Sequence, residues 1–328
     1  MSRQLTGFQP TGPLQLGNYL GAIAPLVRRQ TDADTIALIV DLHALTVEHD
    51  PAELRRRTRE VATLLLAAGL DDAATVVVQS HVPEHTGLHY LLESTTHYGE
   101  AHRMIQFKQK TGRDRDAARL SLLTYPVLMA SDILLYGTDE VPVGEDQRQH
   151  VELTRDLAIR FNRRYGDTFV VPRPVNPPVA ARIMDLTDPT RKMDKTSPSP
   201  LGVIYLLDPP DAVRRKLARA VTDADGEVRY DRDHKPGVSN LLEILASCTG
   251  EPPERVAARF DTYRDLKAAT ADAVIVVLEP LQRRYAELAA DPEQVTERLR
   301  AGAKRARHHA SETLAAATRA IGLDQRGT

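Results

Sequence analysis

Residues 36–41, Ile-Ala-Leu-Ile-Val-Asp, and residues 75–79, Thr-Val-Val-Val-Gln, are two short apolar runs. A strand with one wet face alternates apolar with polar side chains, so unbroken runs of this length mark strands covered on both faces. Between them Asp50 is placed to cap a helix, Pro51 suits its first turn, and Leu54, Val61, Leu64 and Leu65 supply an apolar stripe. Gly69 can end that helix. Strand, helix, strand at this spacing is a βαβ unit, and the pattern recurs up to the strand-like Glu140 to Val143, followed by a helix to about Tyr165. The expected fold class is α/β, with a Rossmann-like doubly wound parallel sheet spanning residues 1–185.

Beyond Asp188-Pro189 the texture changes. TSPSP and DPP between 196 and 210 break regularity, and helical patterns follow at 211–220, 238–247 and 254–290. A smaller, all-helical domain is expected over 186–291, and a last helix at about 292–320, within a segment 292–328, is expected to pack back on the first domain. The length of 328 residues agrees with two domains at roughly 150 residues each.

With 42% hydrophobic and 27% charged residues the chain fits none of the disordered, collagenous or disulfide-scaffold classes. The opening MSRQLTGFQP lacks the apolar core of a leader, and no stretch approaches the roughly 20 apolar residues that span a bilayer. A cytoplasmic protein without membrane contact is expected. Cys248 is the single cysteine and reads as a small buried side chain. A net charge of −2 offers no global attraction to a polyanion. Local basic runs exist at Arg55, Arg56, Arg57 and Arg59, at Arg283 and Arg284, and from Arg298 to His308. Each run is most often a solvated helix face, so these runs permit RNA binding without showing it.

Residues 6–21, TGFQPTGPLQLGNYLG, form a loop that gives way to a helical pattern at Leu16, Tyr19, Leu20 and Ile23. Backbone N–H groups at such a point favour a phosphate, and Gly17 would let one approach closely. The spacing matches neither the dinucleotide nor the P-loop signature. Lys192-Met193-Asp194-Lys195-Thr196 sets two lysines on one short loop, where positive charge can meet a polyphosphate as a bond to it stretches. Val141-Pro142-Val143-Gly144-Glu145-Asp146-Gln147 runs off a strand end into a helix, the usual ligand position in open α/β sheets.

The stretch 121–136, SLLTYPVLMASDILLY, is apolar almost throughout, with Asp132 as its one carboxylate. At helical spacing Tyr125, Met129, Asp132 and Tyr136 share a face. A carboxylate taken from water needs a donor, which is either an internal Arg or Lys or a ligand with one N–H. Indole is flat and apolar, and its nitrogen donates and never accepts. His81, His85 and His89 stand at i, i+4, i+8, but no carboxylate or cysteine completes a metal set, so no metal site is expected.

Read together, these segments resemble the class I aminoacyl-tRNA synthetases. Gln15-Leu16-Gly17-Asn18 stands where that class has its HIGH signature, with glutamine and asparagine replacing the histidines, and the surrounding QPTGxLxLGNYLGA has the tryptophanyl form. Lys192 to Thr196 resembles the KMSKS loop, with Asp194 and Thr196 in place of serines. LLTYPxLMAxDILLY, VDLHALT, QFKQK, GEDQRQHVELTRDLAIRFNRRYG, ARIMDLTDPTRKM and KPGVSNLLEI extend the resemblance over most of the chain.

The resemblance implies a tryptophan–tRNA ligase that forms tryptophanyl-adenylate from L-tryptophan and ATP, with Mg²⁺ carried by the ATP and no prosthetic group. It implies transfer to tRNA(Trp), a homodimer, and anticodon recognition by the helical part. It assigns ATP to Gln9, Pro10, Thr11, Gly17, Asn18, Gly144, Glu145, Asp146, Ile183, Lys192, Met193, Asp194, Lys195 and Thr196, with Lys192, Lys195, Gln9 and Asn18 carrying catalysis. Tryptophan falls to Asp132, Met129, Tyr125, Gln147, His43, Val141 and Val143. A tyrosyl-tRNA synthetase-like enzyme and a regulatory paralogue with weakened aminoacylation remain the alternatives.

Overall fold

The computed structural model describes residues 3–104, 119–142, 147–175, 183–194 and 197–323. Five strands, β1 (Arg3–Phe8), β2 (Asp34–Ile39), β3 (Ala74–Val78), β4 (Glu140–Pro142) and β5 (Arg173–Val175), form one sheet in the order β3-β2-β1-β4-β5. Every pairing is parallel, with Leu5 opposite Ile36 and Ile36 opposite Thr75. The chain winds outward from β1 in both directions, as the two apolar runs predict.

The central strand itself escapes the apolar-run reading. Arg3-Gln-Leu-Thr-Gly-Phe8 looks too polar for the middle of a sheet, but its polar groups are matched at the amino end. Arg3 Nε pairs with Asp34 at 2.6 Å, and Gln4 Nε2 donates to Thr35 Oγ1 at 2.8 Å. Satisfied in this way, Gln4 is buried without leaving an orphan donor.

The predicted helix between β2 and β3 spans Pro51–Ala67, and the Asp50 carboxylate accepts from Glu53 N at 2.8 Å. Gly69 follows at φ 106°, a conformation open to glycine. Alternate residues of the inner strands feed two cores. Ala37, Ile39, Val76 and Val78 face Leu64 and Leu65, together with Leu186, Ile204, Leu242 and Val274 of the second half. Ile36, Leu38 and Val77 face Leu88, Leu134 and Phe161.

The second half is helical: Pro210–Ala218, Pro236–Thr249, Pro253–Ala257 and Tyr263–Ala290. The continuous helix expected over 254–290 is therefore interrupted. Thr262 turns extended, and its hydroxyl accepts from Asp265 N at 3.1 Å, so a new helix starts under its own cap. Among the helices, Lys235 is buried and donates to Asp223 and Asp225 and to the Tyr263 hydroxyl.

The helix Pro292–Ala320 lies against β3 and against the helix Glu84–Glu93. Arg305 Nη2 donates to Ala74 O at 3.0 Å. At Gly302 a Cβ would overlap the Val76 carbonyl oxygen, so only glycine permits this crossing. Among the described residues no helix is long and apolar enough to cross a membrane.

Candidate active site

In an open parallel sheet the crevice lies beyond the carboxyl ends of the strands where the winding reverses, here β1 and β4. Gln9, Pro10 and Thr11 follow β1, His43 sits on a short 3-10 turn (Leu42–Thr46) after β2, and Gln79 follows β3. Topology alone thus brings together segments that sequence separates.

Asp132 belongs to the helix Leu120–Leu134 and is 2% exposed. Its Oδ1 accepts from Gln79 Nε2 at 2.6 Å and from His85 Nδ1 at 2.6 Å, and its Oδ2 accepts from His43 Nε2 at 2.9 Å. The internal partner is therefore neither Arg nor Lys; two imidazoles and an amide share the carboxylate. Burial works against the charged form, but donation from His43 and His85 outweighs it and holds the group at about 2. A carboxylate offers about four acceptor positions, so one remains, on Oδ2.

Oδ2 is the oxygen bonded to His43, itself one of the predicted tryptophan contacts. The His43 ring stands edge-on to Tyr125, with centroids 6.2 Å apart, and the Tyr125 hydroxyl meets His150 Nε2 at 2.9 Å. Burial pushes the Tyr125 hydroxyl up, so it stays protonated. Met129 packs on Ile133, Val141 and Val151. Gln147 directly precedes the helix Arg148–Tyr165 and is half-buried. Val143, Gly144, Glu145 and Asp146 lie outside the described residues, as do Lys195 and Thr196.

The nucleotide segments are organised by backbone contacts. Gln15 N donates to Asn18 Oδ1 at 3.0 Å, and the Gln15 side chain folds over Gly17, whose N–H donates to Gln15 Oε1. A Cβ on Gly17 would stand 2.8 Å from that oxygen, so the space over this glycine holds the Gln15 amide. The same amide donates to Met193 O at 2.8 Å, which joins the first signature to the second. Gln9 is exposed and Pro10 is buried, while Thr11 is half-buried in a cleft of about 370 Å³ with Tyr205 on its wall.

Lys192 is exposed and its backbone pairs with Met184. Met193 is fully buried, and its N–H donates to Ile183 O at 3.0 Å. One acceptor position of the carbonyl of Ile183, a residue that the resemblance assigns to ATP, is therefore taken within the chain. Asp194, between the lysine positions, is half-buried. Asp185 braces this hairpin, accepting from Thr187 N at 2.7 Å, from Asp188 N at 3.0 Å and from the Ser197 hydroxyl. Burial opposes its charge, and these donors hold its carboxyl below the usual range.

Three residues that the sequence reading did not place at the site stand in it. Gln79 and His85 hold Asp132, and Asn240 clasps the backbone of Met184 through both amide atoms, at 2.8 and 2.9 Å. His85 was visible only as one of three histidines at helical spacing. Asn240 lies inside KPGVSNLLEI, where an asparagine in a helical apolar run is the sole hint.

The basic runs are largely neutralised at home. Arg56 and Arg57 pair with Glu53 and Glu60, Arg284 with Glu287, Arg298 with Asp72 and Arg300 with Glu293. Burial raises the Cys248 thiol to about 12, which makes it unreactive.

The family model described as tRNA synthetases class I (W and Y) matches residues 1–279. A Streptomyces avermitilis protein named tryptophan–tRNA ligase 1 is 57% identical, over 98% of this chain and 99% of that one. The crystal structure of tryptophanyl-tRNA synthetase from Mycoplasma pneumoniae superposes with a TM-score of 0.91 at 38% identity, covering 99% of both chains. That of Campylobacter jejuni tryptophanyl-tRNA synthetase, complexed with ADP and tryptophan, gives 0.83 at 30% identity, over 98% of this chain and all of the other. On the shared sheet, the ordered signatures and these full-length matches, the chain belongs to the class I tRNA synthetases of the tryptophan and tyrosine group, and within it to the bacterial tryptophanyl-tRNA synthetases.

Proposed function

We propose that the chain activates L-tryptophan with ATP and transfers it to tRNA(Trp), with Asp132 as the acceptor for the indole N–H. The observation that carries this reading is the open acceptor position on a buried, ionised carboxylate beside His43 and Tyr125. A phenyl ring would leave that position unmatched, and sites of this kind reject such analogues by roughly 10⁴ to 10⁵. Met129, Val141 and Val143 line the ring, and Gln147 faces the amino acid end.

ATP lies along Gln9, Pro10, Thr11, Gly17 and Asn18, with Gly144, Glu145, Asp146 and Ile183 toward the nucleoside and Lys192 to Thr196 over the phosphates. The tryptophan carboxylate attacks the α-phosphorus and pyrophosphate leaves. Lys192, Lys195, Gln9 and Asn18 meet the charge that develops on the departing group, and no covalent enzyme intermediate is required. Mg²⁺ arrives with ATP and offsets phosphate charge. Because Gln15 lies over Gly17 and binds Met193 O, ATP entry requires this amide to yield space, which couples the two signatures.

The working unit is a homodimer in the cytoplasm. The helices Glu84–Glu93, Tyr98–Arg103, Leu120–Leu134 and Arg148–Tyr165 leave Tyr90, Tyr98, Leu120 and Ile159 exposed, apolar surface that a second copy would cover. Residues 1–185 are the catalytic unit, 186–291 the tRNA-reading helical unit, and 292–328 the returning segment. A groove of about 460 Å³ between the helices Pro210–Ala218 and Tyr263–Ala290 carries Arg214, Arg264 and Lys267 and suits an RNA phosphate.

The chain contains no tryptophan, so indole emission in a titration comes from the ligand and none of it from the protein. Titration with tryptophan, ATP–pyrophosphate exchange with tryptophan against tyrosine, and charging of tRNA(Trp) test the proposal in turn. Exchange that favours tyrosine would overturn the specificity, and exchange without charging would move the protein to the regulatory alternative that Asp194 suggests.

A further inference from the structure

Beyond the carboxylate lies a second layer of fully buried polar groups. His85 is 0% exposed and Tyr136 is 1% exposed. Since an ionised carboxylate only accepts, His85 Nδ1 carries a hydrogen toward Asp132 Oδ1. The other ring nitrogen, Nε2, stands 2.8 Å from the Tyr136 hydroxyl. Among the described residues that nitrogen is the hydroxyl's one acceptor, so a hydrogen on Nδ1 and a lone pair on Nε2 satisfy both ring nitrogens and the hydroxyl. The opposite tautomer would turn a lone pair on Nδ1 against the carboxylate. Ser131 Oγ also donates to His85 O at 2.7 Å, which ties the histidine's backbone to the residue beside Asp132.

Two donors, His85 and Gln79, thus occupy Oδ1, while Oδ2 has His43 alone. The asymmetry fixes the rotation of the carboxylate and decides which oxygen keeps a vacancy. We infer that His85, its ring state set by the Tyr136 hydroxyl, is a positioning residue that aims Asp132 Oδ2 at the indole N–H and thereby governs selection of tryptophan. The inference rests on Asp132 being the indole acceptor.

The test is ATP–pyrophosphate exchange with tryptophan and with β-(benzothiophen-3-yl)alanine, in which sulfur replaces the N–H. The readout is the ratio of the two kcat/KM values. His85→Leu should lower this ratio about tenfold or more, the scale of a hydrogen bond to a charged group, and Tyr136→Phe about threefold to tenfold, the scale of an ordinary one. His85→Asn, whose amide nitrogen can stand in for Nδ1, should hold the ratio within about threefold of the parent. KM for ATP should stay constant in all three.

General damage to the fold would lower both amino acids together and leave the ratio unmoved. If His85→Leu does not fold, Tyr136→Phe, which removes a single oxygen, decides the matter. A ratio unchanged in Tyr136→Phe and His85→Leu, but collapsed in Asp132→Asn, overturns the role of His85 and keeps the indole reading. A ratio that survives Asp132→Asn removes the indole reading itself.

Discussion

The two ends of the active site are built in opposite ways. Around Asp132 every partner is a buried side chain, drawn from three separate segments and held by bonds of 2.6 to 2.9 Å. Around Lys192 the contacts described are mostly backbone bonds, and the lysine side chain is exposed. The proposed tryptophan end is organised before substrate arrives, so discrimination there needs no further ordering. At the proposed ATP end the Lys192 side chain stands in water, where it interacts weakly until phosphates displace that water. Selectivity and rate should therefore separate cleanly on mutation.

Asp132→Asn should have the largest effect. It presents a donor where an acceptor is needed, and selectivity for tryptophan over the benzothiophene analogue should fall about 1,000-fold, with KM for ATP unchanged. Parallel losses for both substrates would break the contrast between the two ends. Lys192→Ala should slow adenylate formation about 100-fold in single-turnover measurements, while fluorescence titration finds tryptophan affinity within about threefold of the parent.

Asn240→Leu strands the Met184 N–H and carbonyl, and should cost about 2 kcal/mol in urea unfolding along with a slower adenylate step. Retained stability with a lost rate would show that Asn240 acts on the loop alone. The smallest effect concerns acid. Asp132 sits at about 2 in the fold against an ordinary 3.8, so its ionisation stabilises the protein above pH 4 and that stabilisation fades as pH falls toward 2. Its size is about 2 kcal/mol at neutral pH. The gap in urea midpoint between parent and Asp132→Asn should therefore narrow as pH falls from about 4 toward about 2, and a constant gap would detach that charge from the fold's acid sensitivity.

What the sequence reveals follows the same division. The βαβ unit is legible because burial on both faces leaves apolar runs, and Asp50 because a cap is a local device. Asp132 is conspicuous as a lone carboxylate in an apolar helix, which tells that a donor exists but not which. His85 is 47 residues away along the chain and meets Asp132 only through packing of the helix Glu84–Glu93 on Leu120–Leu134. β1 is hidden because its polar side chains are answered by partners on β2. The break before Tyr263 was written locally, in Thr262 and Asp265, but the longer apolar period around it masks that signal.

Gly302 carries a consequence for the order in which the molecule is made. It seats the last long helix on β3, whose residues leave the ribosome more than 200 positions earlier. Ala306, Ala310 and Ala317 complete the core around Val77 and Leu88, so during synthesis that part of the sheet waits uncovered until the closing segment emerges. Chains released at residue 291 should be cut by protease at the helix Glu84–Glu93 and bind a hydrophobic dye, whereas the full chain resists both. A Gly302→Ala chain should behave as the shortened one does, its final helix made but unable to dock.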